Sequence, residues 1–245
     1  MPVAGVGARL GEPLNRRPKV LLEFGGETLL ARHLAILKHC GIEEVVLGVG
    51  HGADQIEAAL HRLGVAGFAR TVYNPDFRDG GITTLWRLRE ALIADGPVLL
   101  MDGDVLYDHR MIERLIRAPA GTCLLMDRDV EPGEEPLKVC IRDGQVVDFR
   151  KTPTEPHDYY GEWIGFLRLS PDVAAALGPT TDIFVTSGIR HVIYEEAIRD
   201  LLLSRPPGTF RVEDVTGLPW IEIDFPADVR RAEREVLANL APLPA

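Results

Sequence analysis

Cysteine is scarce: there are three in 245 residues, at positions 40, 123 and 140. Their number is odd, and their spacing fits neither CxxC nor a zinc-ligand pattern. That argues against a disulfide framework or a cysteine metal site and leads us to expect plain thiols in a reducing cytoplasm. Long apolar runs are missing too; none approaches the roughly 18 residues a transmembrane helix needs. The opening MPVAGVGARL has no basic start followed by an apolar stretch, so no signal peptide is expected. Positive charge is in deficit, with 27 Lys plus Arg against 37 Asp plus Glu and a net charge of −10. Bulk charge of that sign attracts neither nucleic acid nor an anionic membrane. The chain also lacks a GxxxxGK[ST] loop, and Leu10 stands where a dinucleotide fingerprint needs its third glycine.

What is present is a core-forming chain, 46% hydrophobic and 26% charged. Strand-like and helix-like segments alternate. EVVLGV (44–49), ARTVY (69–73), PVLLMD (97–102) and TCLLMD (122–127) are short apolar runs of the kind buried strands show. Helical spacing links Leu29, Leu30, His33, Leu34, Leu37 and Cys40, with Gly41 as a stop signal. Further helices are expected over about 56–63, 82–94 and 109–117. Beyond residue 128 the pattern changes. LKVCIR, the Asp143-Gly144 turn and QVVDFRK predict a β-hairpin. A strand at 161–170, helices near 171–177 and 190–203, a strand at 219–224 and a helix at 226–240 follow. We therefore expect a single α/β domain over 1–245, a three-layer α/β/α sandwich with a Rossmann-like, mostly parallel mixed sheet and a hairpin insertion. Its ligand site belongs at the strand C-termini. Loops are expected at 131–136, 152–158 and 205–208.

Three motifs carry chemistry. The first is Ala4-Gly5-Val6-Gly7-Ala8-Arg9-Leu10, followed by Arg16-Arg17-Pro18-Lys19. Gly5 and Gly7 let backbone N–H groups approach a phosphate, and Arg9 and Lys19 add two cations. The second is Asp102-Gly103-Asp104 at the end of the 97–102 strand, a place where two carboxylates suit a hard divalent cation such as Mg²⁺. The third is Glu222-Ile223-Asp224-Phe225-Pro226. Asp224 is either a second metal carboxylate or the N-cap of the last helix. Together the three suggest metal-assisted chemistry on a phosphorylated ligand.

AGVGARL…RPKVLLEFGGETLLARHLAIL resembles the opening of the nucleotidyltransferases that make nucleoside-diphosphate sugars and alcohols. The likeness extends through YNPDF, GITTLWRLREAL, LLMDGDVLYD and PWIEIDFPADVRRA. It is strongest toward the branch of phosphocholine and inositol-phosphate cytidylyltransferases, which includes phosphonate users. The resemblance implies transfer of CMP from CTP to a small phosphorylated alcohol or phosphonate, with release of pyrophosphate. Sugar-1-phosphate uridylyl- or guanylyltransfer, or nucleotide binding without turnover, are its alternatives. It implies a nucleotide-binding half over about 1–127 and an acceptor-binding half over about 128–245. Gly5, Gly7 and Arg9, with Ala4, would hold the triphosphate. Lys19 would contact the α-phosphate and the incoming phosphate, and Asp104 and Asp224 would bind Mg²⁺. Asn74, Gly81 and Thr83 would lie along base and ribose, with Asp102 beside them. Glu162, Trp163 and Tyr194 are the acceptor candidates, because aromatic faces with a carboxylate suit a quaternary ammonium group. A homodimer is compatible with the sequence but not fixed by it. Two departures stand out. Only Met1-Pro2-Val3 precede Ala4, where relatives have about five apolar residues as a first central strand. Gly81 replaces an asparagine common in relatives.

Overall fold

The computed structural model describes residues 1–130 and 136–244. The loop expected at 131–136 therefore lies, but for Pro136, outside the described residues. The sheet is organised by β10 (Tyr159–Leu169), an 11-residue strand buried almost continuously from Gly161. Along one edge it pairs antiparallel with β5 (Val98–Met101) and β8 (Lys138–Arg142), and along the other with β7 (Thr122–Asp127). β11 (Phe210–Asp214) adds parallel to β7, and β9 (Gln145–Arg150) completes the hairpin with β8. β3 (Val45–Val49) and β4 (Ala69–Tyr73) form a parallel pair. The sheet is mixed, as expected. Its parallel ladders are fewer than the sequence suggests, because β10 from the second half of the chain runs between β5 and β7 of the first.

Alternation along these strands creates two cores. β7 sends Cys123 and Leu125 into one cluster and Leu124 and Met126 into the other. The first is covered by α1 (Leu29–His39), α2 (Ala53–Leu63) and α4 (Arg110–Arg117); the second by α3 (Gly81–Arg87), α5 (Pro171–Thr186) and α6 (Glu195–Ser204). This is the three-layer arrangement. A third cluster joins Leu10 and Phe24 to Leu106, Ile221, Ile223 and Val236. It packs the glycine-rich loop onto β6 (Val105–Tyr107), β12 (Trp220–Glu222) and the end of the chain, where α7 (Pro226–Arg231) continues through two further turns to Asn239. The small β1 (Glu23–Phe24) and β2 (Glu27–Thr28) lead into α1, whose N-cap Thr28 accepts from the Ala31 amide at 3.1 Å.

Two boundaries differ from expectation for local reasons. α5 runs on to Thr186 through Pro179; the Thr180 and Thr181 hydroxyls donate to the Ala176 and Gly178 carbonyls around the missing amide. α6 starts only at Glu195, because the preceding residues fold over α3. The Val192 carbonyl accepts from Ile82, and Arg190 pairs with Asp76 and Asp79. All three cysteines are free thiols. Among the described residues no helix is long and apolar enough to cross a membrane.

Candidate active site

The glycine-rich loop is anchored by the residues that precede it. Met1–Val3 lies parallel to β3, with Val3 N–H to Gly48 O at 2.8 Å and Gly48 N–H to Met1 O at 2.9 Å. His51 N–H then reaches Ala4 O at 3.0 Å. Three residues are thus enough to fix the loop's start. Gly7 takes a left-handed conformation, φ 58°, that reverses the chain above Lys19. Leu10 plugs the loop into the third cluster at 1% exposure. The result is a cleft of about 320 Å³ lined by Ala4, Gly5, Gly7, Arg9, Lys19 and Gly81, with Asp102, Asp104 and Tyr194 on its far wall.

At the floor lies a compact charged centre. Lys19 Nζ donates to Asp104 Oδ2 at 2.8 Å and to Asp224 Oδ1 at 2.6 Å. Arg9 takes the other oxygen, Asp224 Oδ2, at 2.8 Å. Sheet pairing brings these distant segments together: β12 runs antiparallel to β6, and the Ile223 amide donates to the Asp104 carbonyl at 2.9 Å. The N-cap reading of Asp224 does not hold, because the N-cap of α7 is Phe225. Asp228 Oδ2 accepts from the Asp224 and Phe225 amides at 3.0 and 2.7 Å, so Asp228 caps α7. The Asp224 carboxylate pairs instead with Lys19 and Arg9.

A third carboxylate was not singled out in the sequence. Ligand oxygens of Asp104, Glu222 and Asp224 all lie within 4.8 Å of one another. Glu222 is two residues before Asp224, so strand alternation puts both on one face; that spacing was the available signal. An all-oxygen set of this kind fits a hard divalent cation, and the Lys19 ammonium between two of its members shows that the position accepts positive charge. Burial opposes the charge on Lys19, but Asp104 and Asp224 outweigh it and hold the ammonium above the ordinary lysine range. Desolvation, then the neighbouring Asp104 and Asp224, push the Glu222 carboxyl well up, although the residue as a whole is exposed.

Beside this centre the Tyr194 hydroxyl donates to Asp102 Oδ1 at 2.7 Å. Gly165, at φ 87° in a bulge of β10, makes room for this: a Cβ there would stand 2.8 Å from Asp102 Oδ2. Burial and the nearby Glu195 and Asp104 raise the Asp102 carboxyl. Burial raises Glu195 to about 8. Glu195 Oε2 is enclosed and has no hydrogen-bond partner. Tyr194 thus ties the start of α6 to the Asp102 end of the cleft.

Other candidates fall away from the cleft. Asn74 is fully buried, and its Nδ2 donates to the Thr83 and Thr84 hydroxyls at 3.0 Å. Thr83 in turn donates to the Asp76 and Gly80 carbonyls. Both brace the turn before α3 instead of lining the cleft. Trp163 is a wall of the second core, wedged edge-on between Phe149 and Tyr194. Glu162 sits in the β10 ladder between Asp127 and Lys138. Neither lines the cleft. Lys138 on the β8–β9 hairpin is buried and donates to the Lys151 carbonyl at 2.8 Å.

With this geometry in view, comparisons with known proteins agree on the family. The model of the MobA-like NTP transferase domain matches residues 3–150. The chain is 30% identical over 240 residues to the CMP-5'-(3-aminopropyl)phosphonate synthase of Streptomyces rubellomurinus, covering 94% of this chain and 37% of that protein. It is 30% identical to the bifunctional IPC transferase and DIPP synthase of Rubrobacter xylanophilus, covering 96% of this chain and 50% of that one. It therefore spans about half or less of these curated relatives. Among solved structures, the inositol-1-phosphate CTP transferase of T. maritima superposes with a TM-score of 0.78 at 21% identity, over 98% of this chain and 96% of that one. The CTP:phosphocholine cytidylyltransferase of Streptococcus pneumoniae gives 0.69 at 20% identity, over 95% of each. These two share the Rossmann-like fold.

Proposed function

Since the chain belongs to the MobA-like NTP transferase family, we propose that it transfers CMP from CTP to the phosphate or phosphonate of a small alcohol-type acceptor and releases pyrophosphate. The observation that carries this is Lys19, held by Asp104 and Asp224 directly beneath the glycine loop. The reaction needs little else. A phosphate monoester is already largely dianionic at neutral pH, its second pKa being about 6. No base has to activate it. What must be overcome is repulsion between two anions and their misalignment. The amides at Gly5 and Gly7 grip the triphosphate, Arg9 and Lys19 neutralise it, and Lys19 pairs with the oxygens around the α-phosphorus as charge shifts toward the leaving pyrophosphate. Mg²⁺ held by Asp104 and Asp224, with Glu222, would supply further neutralisation of the phosphates. Preference for CTP is supported by the name of the Streptomyces relative, which makes a CMP-phosphonate.

Pyrophosphate release with Mg²⁺ tests this. CTP, UTP, GTP and ATP are each crossed with phosphocholine, inositol 1-phosphate, sugar 1-phosphates and 2-aminoethylphosphonate. Release with CTP and one alcohol phosphate or phosphonate is the expected result. Release confined to UTP or GTP with sugar 1-phosphates, or none with any pair, overturns the assignment.

A further inference from the structure

The charged centre is arranged around an exchange of cations. Asp224 has both oxygens engaged, Oδ1 by Lys19 and Oδ2 by Arg9, and Asp104 gives Oδ2 to Lys19. A divalent cation that bridges Asp104 and Asp224 competes with the ammonium for the oxygens that hold it. We propose that Lys19 is a removable internal counter-ion: it holds Asp104 and Asp224 together until the divalent cation arrives, and then moves to the nucleotide's phosphates, so that metal and triphosphate enter together. The inference rests on the function proposed above, which supplies both ligands.

Three observations support the exchange. Two carboxylates this close repel, so the empty pair needs a cation, and Lys19 provides one while its side chain is only 18% exposed. Once displaced, a largely buried ammonium needs a new anion. The Lys19 stem runs under the glycine loop, its Cγ being 3.5 Å from where a Gly7 Cβ would sit, so the nearest place for that anion is the phosphate cradle. Lysine also suits the move, since its compact charge sits on a flexible stem and is not bound to one planar geometry. Linkage then makes the coupling reciprocal: nucleotide strengthens metal binding, and metal strengthens nucleotide binding, by the same factor.

The test is binding of Mn²⁺ alone, by electron paramagnetic resonance, to the wild type and to Lys19→Met without nucleotide. Removing the competing cation is expected to tighten Mn²⁺ binding by at least about tenfold. Lys19→Arg, which keeps a cation at the pair, is expected to stay as weak as the wild type. Adding Asp104→Asn to Lys19→Met is expected to lose the gain. Equal or weaker Mn²⁺ binding by Lys19→Met overturns the exchange, as does tight binding that survives Asp104→Asn. Should Lys19→Met fail to fold, Arg9→Gln, which removes the cation from Asp224 Oδ2, is expected to tighten Mn²⁺ by a smaller factor, and no tightening there overturns the exchange. Because Mn²⁺ binding is read without turnover, the exchange can fail in an enzyme that releases pyrophosphate, and can hold in one that does not.

Discussion

Lys19→Met is expected to slow nucleotidyl transfer by roughly 10²–10³, the loss typical of removing one preorganised donor from a developing oxyanion. Among the described residues, Lys19 is the one side chain that hydrogen-bonds both Asp104 and Asp224, two carboxylates far apart in the chain, beneath the loop that would hold the triphosphate. Its charge is fixed, since the two carboxylates keep the ammonium above the normal lysine range. The loss should therefore not recover with pH between about 6 and 9, where an ordinary lysine also stays protonated. Met keeps the aliphatic stem, so Val20 and Leu21 should still pack and the fold should survive. Steady-state kinetics with saturating nucleotide and Mg²⁺, beside a thermal melt, check this. A variant within threefold of the wild type rules out a role for Lys19 in the chemistry.

Asp104→Asn and Asp224→Asn are each expected to remove Mg²⁺-dependent turnover, by roughly 10²–10⁴, the several kcal/mol that metal-ion stabilisation of phosphoryl oxygens supplies. Neither should unfold the protein, because backbone pairing holds both segments: Asp104 O accepts from Ile223 N–H at 2.9 Å, and Asp228 caps α7 independently. The two variants share partners in Lys19 and the metal, so the double variant should lose far less than the product of the single losses. A double-mutant cycle on the turnover number reads this. Simple multiplication of the losses, or full activity in both single variants, contradicts a shared metal centre.

Much of this centre was legible in the sequence, because its parts carry local signals. The glycine spacing, the arginine and lysine after it, and two pairs of acids spaced two apart at strand ends mark Gly5, Gly7, Arg9, Lys19, Asp104 and Asp224 without knowledge of the fold. What stayed hidden depends on pairing between distant segments. Glu222 joins the cluster only because β12 lies against β6, and β6 and β12 are three-residue strands that leave almost no periodic trace. The Tyr194–Asp102 contact needs residues before α6 to fold across α3. An irregular approach to α6 replaces the helix that apolar spacing alone suggests. Asn74 and Trp163 show the opposite case. Their residue types fit ligand contacts, but each is consumed by its own neighbourhood, Asn74 by two threonine hydroxyls and Trp163 by Phe149 and Tyr194.

The most direct test of the central claim follows the label from CTP. With CTP carrying ³²P at the α position and an acceptor active in pyrophosphate release, the α label should move into a new CMP–acceptor adduct. With ³²P at the γ position, it should appear in pyrophosphate alone. Transfer of the γ label to the acceptor, or its release as orthophosphate, would mean that the cleft breaks a different bond and would contradict nucleotidyl transfer at this centre.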